Sequence, residues 1–218
     1  MRPPGVRWVV IGAQERRRGM SPCCSESVGL SWGMSTTGIG SVRARAGGAR
    51  PSRAAGLLYG LGLGGFIDGI VLHQILQWHH LVSNVDEFPV STVAGLEMNT
   101  LADGFFHAGT LVLVLAASIV TIVAWRRGRL APNWSFHFGL VLLGWGIFNV
   151  VEGVIDHQIL GIHHVRDDLG GPLSWDVGFL IFGFLLCVGG WLLYRRGRRA
   201  LDDRVTGSSE AHEQDSVW

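Results

Sequence analysis

The sequence predicts an all-α integral membrane protein, a four-helix bundle built from two tandem two-helix repeats. Its composition supports the membrane class, because 48% of the 218 residues are hydrophobic and only 16% are charged. A repeated motif supports the duplication: HQILQWHH at residues 73–80 recurs as HQILGIHH at residues 157–164. An acidic residue followed by glycine precedes each copy at the same spacing, at 68–69 and 152–153. Chance rarely gives such a match in residue order and spacing.

The amino-terminal part differs from the rest. Residues 1–53 are rich in glycine, serine and arginine and have no helical periodicity, so they are predicted to be a disordered cytoplasmic segment. Because Met34 begins a stretch that resembles an ordinary protein start, we interpret residues 1–33 as an extension from a mis-assigned start codon. A genuine cytoplasmic tail is the alternative. The three cysteines form neither a disulfide framework nor a CxxC metal signature.

Residues 54–196 are predicted to form the transmembrane domain. Four apolar segments occur there, and each approaches or exceeds the roughly 20 residues that a helix needs to cross a bilayer core. The predicted helices cover residues 54–78, 101–125, 135–160 and 174–194. Prolines fall in the connections, where they do not interrupt a helix. The polar residues 197–218 are predicted to be a disordered cytoplasmic tail.

Arginine placement predicts the orientation. Arginines cluster before the first helix, after the second and after the fourth, whereas the other two loops are acidic. The positive-inside rule therefore places both termini in the cytoplasm and the acidic loops outside. With two helices each, the repeats share one orientation, so both histidine motifs lie at the outer face. The arginines form no nucleic-acid-binding patch, and the expected partner is the lipid bilayer.

Polar side chains are concentrated on one face of each repeat's first helix at about 100° per residue. Asp68 and Glu152 lie near the middles of their helices, where a carboxylate costs about 2.5–3.5 kcal/mol and normally faces the bundle interior with a partner. The starts of helices 2 and 4 lie at the same outer end and carry Asp103, His107 and Asp176. Together these residues predict a polar funnel that opens to the outside.

This combination predicts a transition-metal site near the outer leaflet, because imidazole binds copper, zinc and iron, and carboxylates complete or orient the ligand shell. The candidate ligands are His73, His79, His80, Asp103, His107, His157, His163 and His164, supported by the buried carboxylates of Asp68, Glu152, Asp156 and Asp176. His73 and His80 lie about 10 Å apart along one helix. One ion would therefore combine residues of different helices, such as His73, His157 and His107 with Asp103. The two His-His pairs would form an outer access site.

The sequence is also compatible with other functions. His73 and His157 could ligate a haem iron from opposite sides, or the buried acids and histidines could form a proton or ion pathway. The chain could also be a structural membrane subunit, with interfacial or hydrogen-bonded histidines and no bound cofactor. A metal site, in turn, would serve catalysis, transfer or permeation. Glycines at intervals of four in helix 1 favour close helix packing, including a homo-oligomer.

Three sequence motifs resemble one known family. Residues 65–80, 149–164 and 103–107 are similar to the signature of the domain-of-unknown-function 2243 family, which consists of bacterial predicted membrane proteins. The resemblance covers approximately residues 54–196. It implies a multi-pass protein of the bacterial inner membrane, and it supplies no reaction.

Overall fold

The computed structural model describes residues 50–215, so the predictions for residues 1–49, including the alternative start, and for residues 216–218 lie outside it. Four α-helices form the described chain. Helix α1 spans Ala54–Asp68 and continues as a π-helical segment, Gly69–Ile75; α2 spans Val93–Arg126; α3 spans Trp134–Glu152 and continues as a second π-helical segment, Gly153–Ile159; α4 spans Leu173–Asp215. Each is long and apolar enough to cross a membrane, which confirms the predicted all-α class.

Three helix boundaries differ from the predicted ones. Helix α2 begins before residue 101, because the side chain of Thr92 accepts a hydrogen bond from the backbone N–H of Gly95 at 3.1 Å and caps the helix there. Helix α4 continues through residues 197–215, where the sequence predicted a disordered tail. Arg198 and Asp202 form an i,i+4 pair at 3.8 Å that supports this polar part of the helix. The first helix stops at Ile75 rather than at residue 78.

Helices α1 and α3 form the central pair, with α2 packed against α1 and α4 packed against α3. Glycines allow the central pair to approach closely. A Cβ atom on Gly60 would overlap the carbonyl oxygen of Val141, and one on Gly144 would overlap that of Leu57. The glycine face of α1 that suggested a homo-oligomer is therefore occupied by α3 of the same chain.

The distribution of apolar and charged side chains is that of a membrane protein. Large apolar side chains are exposed along α2 and α4; Val112 and Leu185, for example, are 63% and 61% exposed. In contrast, Asp68, Asp103, Glu152 and Asp176 are buried. This arrangement suits a lipid environment, because apolar surface needs no cover there while charged groups must find partners inside the protein.

Two loops meet at one end of the bundle, which we call the loop end; they join α1 to α2 and α3 to α4. Their backbones pair reciprocally. The N–H of Asn84 donates to the carbonyl of Ile162 at 2.9 Å, and the N–H of Asp168 donates to the carbonyl of Trp78 at 3.2 Å. Each loop thus satisfies a backbone group of the other and fixes its position.

Candidate metal centre

The two π-helical segments place the first pair of histidines. Each segment follows directly after a buried acid, Asp68 or Glu152, and contains His73 or His157. A π-helical turn holds an extra residue relative to an α-helical turn and so redirects the side chains that follow it. Such turns occur frequently at functional sites in proteins.

A reversal of the chain then places the second pair. Gln77 and Gly161 have positive φ angles of 50° and 59°, and both directly follow the end of the helical turn. After this reversal, the ring of His79 returns to 4.5 Å from that of His73, and the ring of His163 returns to 4.7 Å from that of His157. The helical wheel had placed His79 and His163 further outward as part of an access site, whereas the structure brings them to the buried pair.

The four rings form one buried group, here named the histidine cluster: His73, His79, His157 and His163. None is more than 2% exposed. The rings of His79 and His163 are stacked, with their centroids 4.7 Å apart and an interplanar angle of 8°. Each of the other two rings is also near both rings of the stack, because His73 is 5.9 Å from His163 and His157 is 6.1 Å from His79.

Each ring of the histidine cluster turns its Nδ1 atom towards an acceptor. The Nδ1–H groups of His79 and His163 donate to the carbonyls of Val165 and Leu81, both at 3.0 Å. The Nδ1–H of His73 donates to Asp103 Oδ1 at 2.8 Å. His157 Nδ1 faces Asp176 Oδ1 at 3.5 Å, just beyond a short hydrogen bond. A carbonyl only accepts, so the proton of a neutral His79 or His163 ring lies on Nδ1 and leaves a lone pair on Nε2.

Three of the four Nε2 atoms lie against the two buried acids, Asp68 and Glu152. Glu152 Oε1 lies 2.9 Å from Nε2 of both His157 and His163, and Asp68 Oδ2 lies 3.3 Å from Nε2 of His73. The Nε2 atom of His79 has no hydrogen-bond partner within residues 50–215. Lone pairs of ring nitrogens and carboxylates thus face one another, an arrangement that is repulsive unless protons or a metal cation lie between them.

Two overlapping triads bring possible ligand atoms close together. The ligand atoms of His73, His79 and His163 lie within 4.8 Å of one another, and so do those of Glu152, His157 and His163. Ligands about 2.1 Å from an ion at angles of 90–109° would be roughly 3.0–3.4 Å apart, so the side chains of a triad would move closer together on binding an ion. All five residues are buried.

Burial also affects the protonation of His79, which lies in the loop outside the membrane-spanning segments. Burial, reinforced by the adjacent rings of His163 and His73, lowers the pKa of His79 well below its ordinary value of 6.5. His79 is therefore neutral at pH 7. Because its proton lies on Nδ1, its unpartnered Nε2 is available as a ligand.

Asp103 and Asp176 lie next to the histidine cluster and accept equivalent hydrogen bonds in the two halves of the protein. Asp103 accepts from the ring of His80 at 2.7 Å and from the backbone N–H of Leu81 at 2.9 Å. Asp176 accepts from the ring of His164 at 2.7 Å and from the backbone N–H of Val165 at 2.9 Å. The amides of Gln74 and Gln158 donate to the same two acids at 3.0 and 3.3 Å. Both carboxylates have several donors, so they orient histidines.

The other predicted site residues lie outside both triads. His80 and His164 are on the outer side of Asp103 and Asp176, with side chains 13% and 26% exposed. His107 donates through Nδ1 to the backbone carbonyl of Asp103 at 2.7 Å and packs against Gly69. Asp156 is half-buried on the second π-helical segment.

Sequence reasoning missed the backbone carbonyls of Leu81 and Val165 and the amides of Gln74 and Gln158. The glutamines had a signal, because they occupy the same position in both motif copies. The two carbonyls had no sequence signal, because every residue carries a backbone carbonyl. Only the chain reversal brings these two carbonyls to the histidine rings.

Four membrane-length helices around buried histidines and acids define a multi-pass membrane protein. The chain belongs to the domain-of-unknown-function 2243 family, described as predicted membrane proteins, whose family model matches residues 55–197. This match confirms the resemblance carried by the three motifs. Comparison with curated proteins and with solved structures gives no match.

Proposed function

We propose that this protein binds a transition metal through the histidine cluster together with Asp68 and Glu152. One observation carries the proposal: all four rings turn Nδ1 towards a carboxylate or a backbone carbonyl, three of them within hydrogen-bonding distance, and Nε2 of His73, His157 and His163 faces Asp68 or Glu152. Histidines that bind metals almost always have this second contact, which fixes the tautomer and raises the basicity of the ligating nitrogen.

The proposal changes two predicted roles. The sequence predicts Asp103 as a ligand and Asp176 as a supporting acid. Both oxygens of each carboxylate accept hydrogen bonds, so both residues act as orienting groups. Asp68 and Glu152, predicted as supporting acids, become direct ligands, because each places an oxygen against an Nε2 atom. His80, His107 and His164 support the cluster from outside.

The types of ligand atom in the proposed site narrow the choice of metal. Imidazole nitrogens with carboxylate oxygens suit zinc, iron(II) and copper(II), whereas copper(I) prefers thiolate or thioether ligands. One triad, formed by Glu152, His157 and His163, is a set of two histidines and one carboxylate, which also occurs in zinc enzymes and in non-haem iron oxygenases. The predicted haem is less compatible with this packing. The stacked rings of His79 and His163 pack against both His73 and His157, so a porphyrin held by those two histidines would have to displace this packing.

Matching contacts support the proposal of a duplicated two-helix unit. Both π-helical segments, both chain reversals and the donors to Asp103 and Asp176 occur at equivalent places in the two halves. We further propose that the protein lies in the bacterial inner membrane with both termini in the cytoplasm, since the arginines favour that side. The loop end and the metal would then face outwards.

A proton pathway is the second candidate, favoured by one chain of contacts. The ring of His80 contacts Asp103 at 2.7 Å, Asp103 contacts His73 at 2.8 Å, and His73 contacts Asp68 at 3.3 Å. This chain leads from the loop end to Asp68, the last residue of α1, after which the π-helical segment begins. Proton flux into liposomes that persists after removal of metals would favour this function over metal binding.

Elemental analysis of purified, monodisperse protein tests the proposal. The wild type should carry zinc, iron or copper in a fixed ratio to protein, and His73→Ala and His163→Ala should lose most of it. His137→Ala is the matched control: that histidine is half-buried and donates to the carbonyl of Ala131 at 2.8 Å near the start of α3. Metal-free wild-type protein, or full metal content in both cluster variants, would contradict the proposal.

A further inference from the structure

A cavity of about 400 Å³ lies beside the histidine cluster, between α1, α3 and α4. Its volume is within the range of small-molecule sites in proteins. Its walls are almost wholly apolar and rich in aromatic rings, contributed by Trp78, Trp145, Trp175, Phe179 and Phe182. A site with this lining excludes ions and strongly polar molecules, because their desolvation would have no compensation.

Two buried oxygen acceptors lie in this apolar wall. Asp68 and Asn149 line the cavity and are only 5% and 2% exposed. The atom Asn149 Oδ1 has no hydrogen-bond partner in the described part of the chain, and the only polar contact of Asp68 Oδ2 there is with Nε2 of His73 at 3.3 Å. Leaving a buried polar group unpaired costs about 1–3 kcal/mol, so a ligand with hydroxyl donors would gain from meeting these acceptors.

The cavity is covered at the loop end and bordered by lipid-facing side chains. Trp78 and Trp175 pack edge to face at 5.4 Å, and the guanidinium of Arg166 lies over their rings at 4.6 and 5.1 Å. On the side of the bundle, Ile67 and Phe182 are 39% and 46% exposed. A ligand would therefore enter from the bilayer, with its apolar part remaining near the lipid.

We propose that this cavity binds a lipid-soluble phenol, of which a hydroquinone is the dihydric form. The aromatic ring would pack among the tryptophan and phenylalanine rings, and the hydroxyl group would donate to Asp68 or Asn149. An alkyl tail would leave between Ile67 and Phe182. Because Asp68 also faces His73 at 3.3 Å, the bound hydroxyl would lie next to the proposed metal centre.

Gly178 offers a way to fill the cavity without disturbing the fold. It lines the cavity, and a Cβ atom placed on it would meet nothing within 4 Å. Gly178→Leu therefore adds a bulky side chain at the cavity wall without steric overlap at its Cβ atom. Gly189→Leu is the matched control, since Gly189 lies on the same helix, also has open space at its Cβ position and does not line the cavity.

The probe is 4-decylphenol with a photoreactive diazirine in its chain, used on full-length protein in lipid nanodiscs. Labelling should be saturable and should map by mass spectrometry to the cavity segments of α1, α3 and α4. An excess of decylhydroquinone should prevent it, whereas decylbenzene should not. Gly178→Leu should reduce labelling about tenfold or more, Gly189→Leu should leave it unchanged, and Asn149→Leu should reduce it towards that of the analogue without a hydroxyl.

Two results would overturn this inference. The first is labelling that spreads over the exposed faces of α2 and α4 and is insensitive to Gly178→Leu. The second is equal labelling by the analogue without a hydroxyl, which would indicate a site for acyl chains. Metal content measured on the same samples separates this inference from the proposed function: site-specific labelling of metal-free protein supports the cavity and contradicts only the metal proposal.

Discussion

Replacing Asp103 with asparagine tests whether this carboxylate orients the histidines of the cluster. Asp103 is 1% exposed and accepts four hydrogen bonds, two on each oxygen. An asparagine of the same shape replaces one oxygen with an NH₂ group, which would face two donors instead of accepting from them. The change therefore removes acceptor capacity while the volume of the side chain stays nearly constant.

The size of the effect follows from these contacts. Hydrogen bonds to a charged acceptor contribute about 1.5–3 kcal/mol each, so losing two would cost about 3–6 kcal/mol. The lower end applies here, because Gln74 can rotate its amide to present oxygen and the half-buried His80 can turn towards water. We therefore expect a loss of about 3 kcal/mol in the free energy of unfolding. Metal affinity should fall about 10–100-fold, as is typical when a group that orients a ligand is lost.

Two measurements on each variant provide the test. The free energy of unfolding comes from denaturation with sodium dodecyl sulfate in mixed micelles, and metal affinity comes from competition with a chelator on folded protein. Asp176→Asn should behave like Asp103→Asn, because Asp176 has matching donors in the second half. Asp86→Asn is the control, an exposed acid in the loop between α1 and α2.

The outcomes separate the roles of Asp103. If Asp103→Asn lost stability but kept its metal affinity within twofold of the wild type, Asp103 would be structural and the orientation argument would fail. If neither quantity changed, the hydrogen-bonded geometry around this carboxylate would itself be wrong.

Three further predictions concern the backbone, acid stability and orientation. Gly161→Ala should destabilise the protein by about 1–2 kcal/mol in the same denaturation assay, because alanine disfavours the positive φ of 59°. Gln77→Gly, at a φ of 50°, should be neutral or stabilising, and equal losses in both variants would refute the strain argument. In metal-free protein, the unfolding free energy should fall as the pH drops below about 6.5, by up to roughly 1.4 kcal/mol per pH unit. Burial lowers the pKa of His79, so below 6.5 the unfolded chain binds a proton that the folded protein excludes; His79→Gln should flatten this slope, and an unchanged slope would contradict that cause. Reporter fusions after Arg129 should be cytoplasmic and those in the 84–92 loop external, and the opposite pattern would reverse the proposed orientation.

The sequence predicted the helices well because their signal is local. Apolar runs of membrane length and flanking prolines identified all four spans, and the repeated motif identified the cluster residues. The roles of these residues required the structure. A helical wheel assumes a constant turn, whereas the π-helical segments and the reversals at Gln77 and Gly161 turn His79 and His163 back towards the centre. Nothing in the residue type of Gln77 indicates a positive φ.

Each loop supplies the backbone carbonyl that orients a histidine of the other loop, and this has a consequence for biosynthesis. The carbonyl that orients His79 belongs to Val165, 86 residues further along the chain, and the carbonyl that orients His163 belongs to Leu81. At translation speeds of about 5–20 residues per second, the first hairpin waits on the order of ten seconds for its acceptor. During that interval the imidazole of His79 lacks both the carbonyl that orients it and the ring of His163 on which it stacks. If the histidine cluster binds a metal as proposed, binding is expected only after the second hairpin has been inserted.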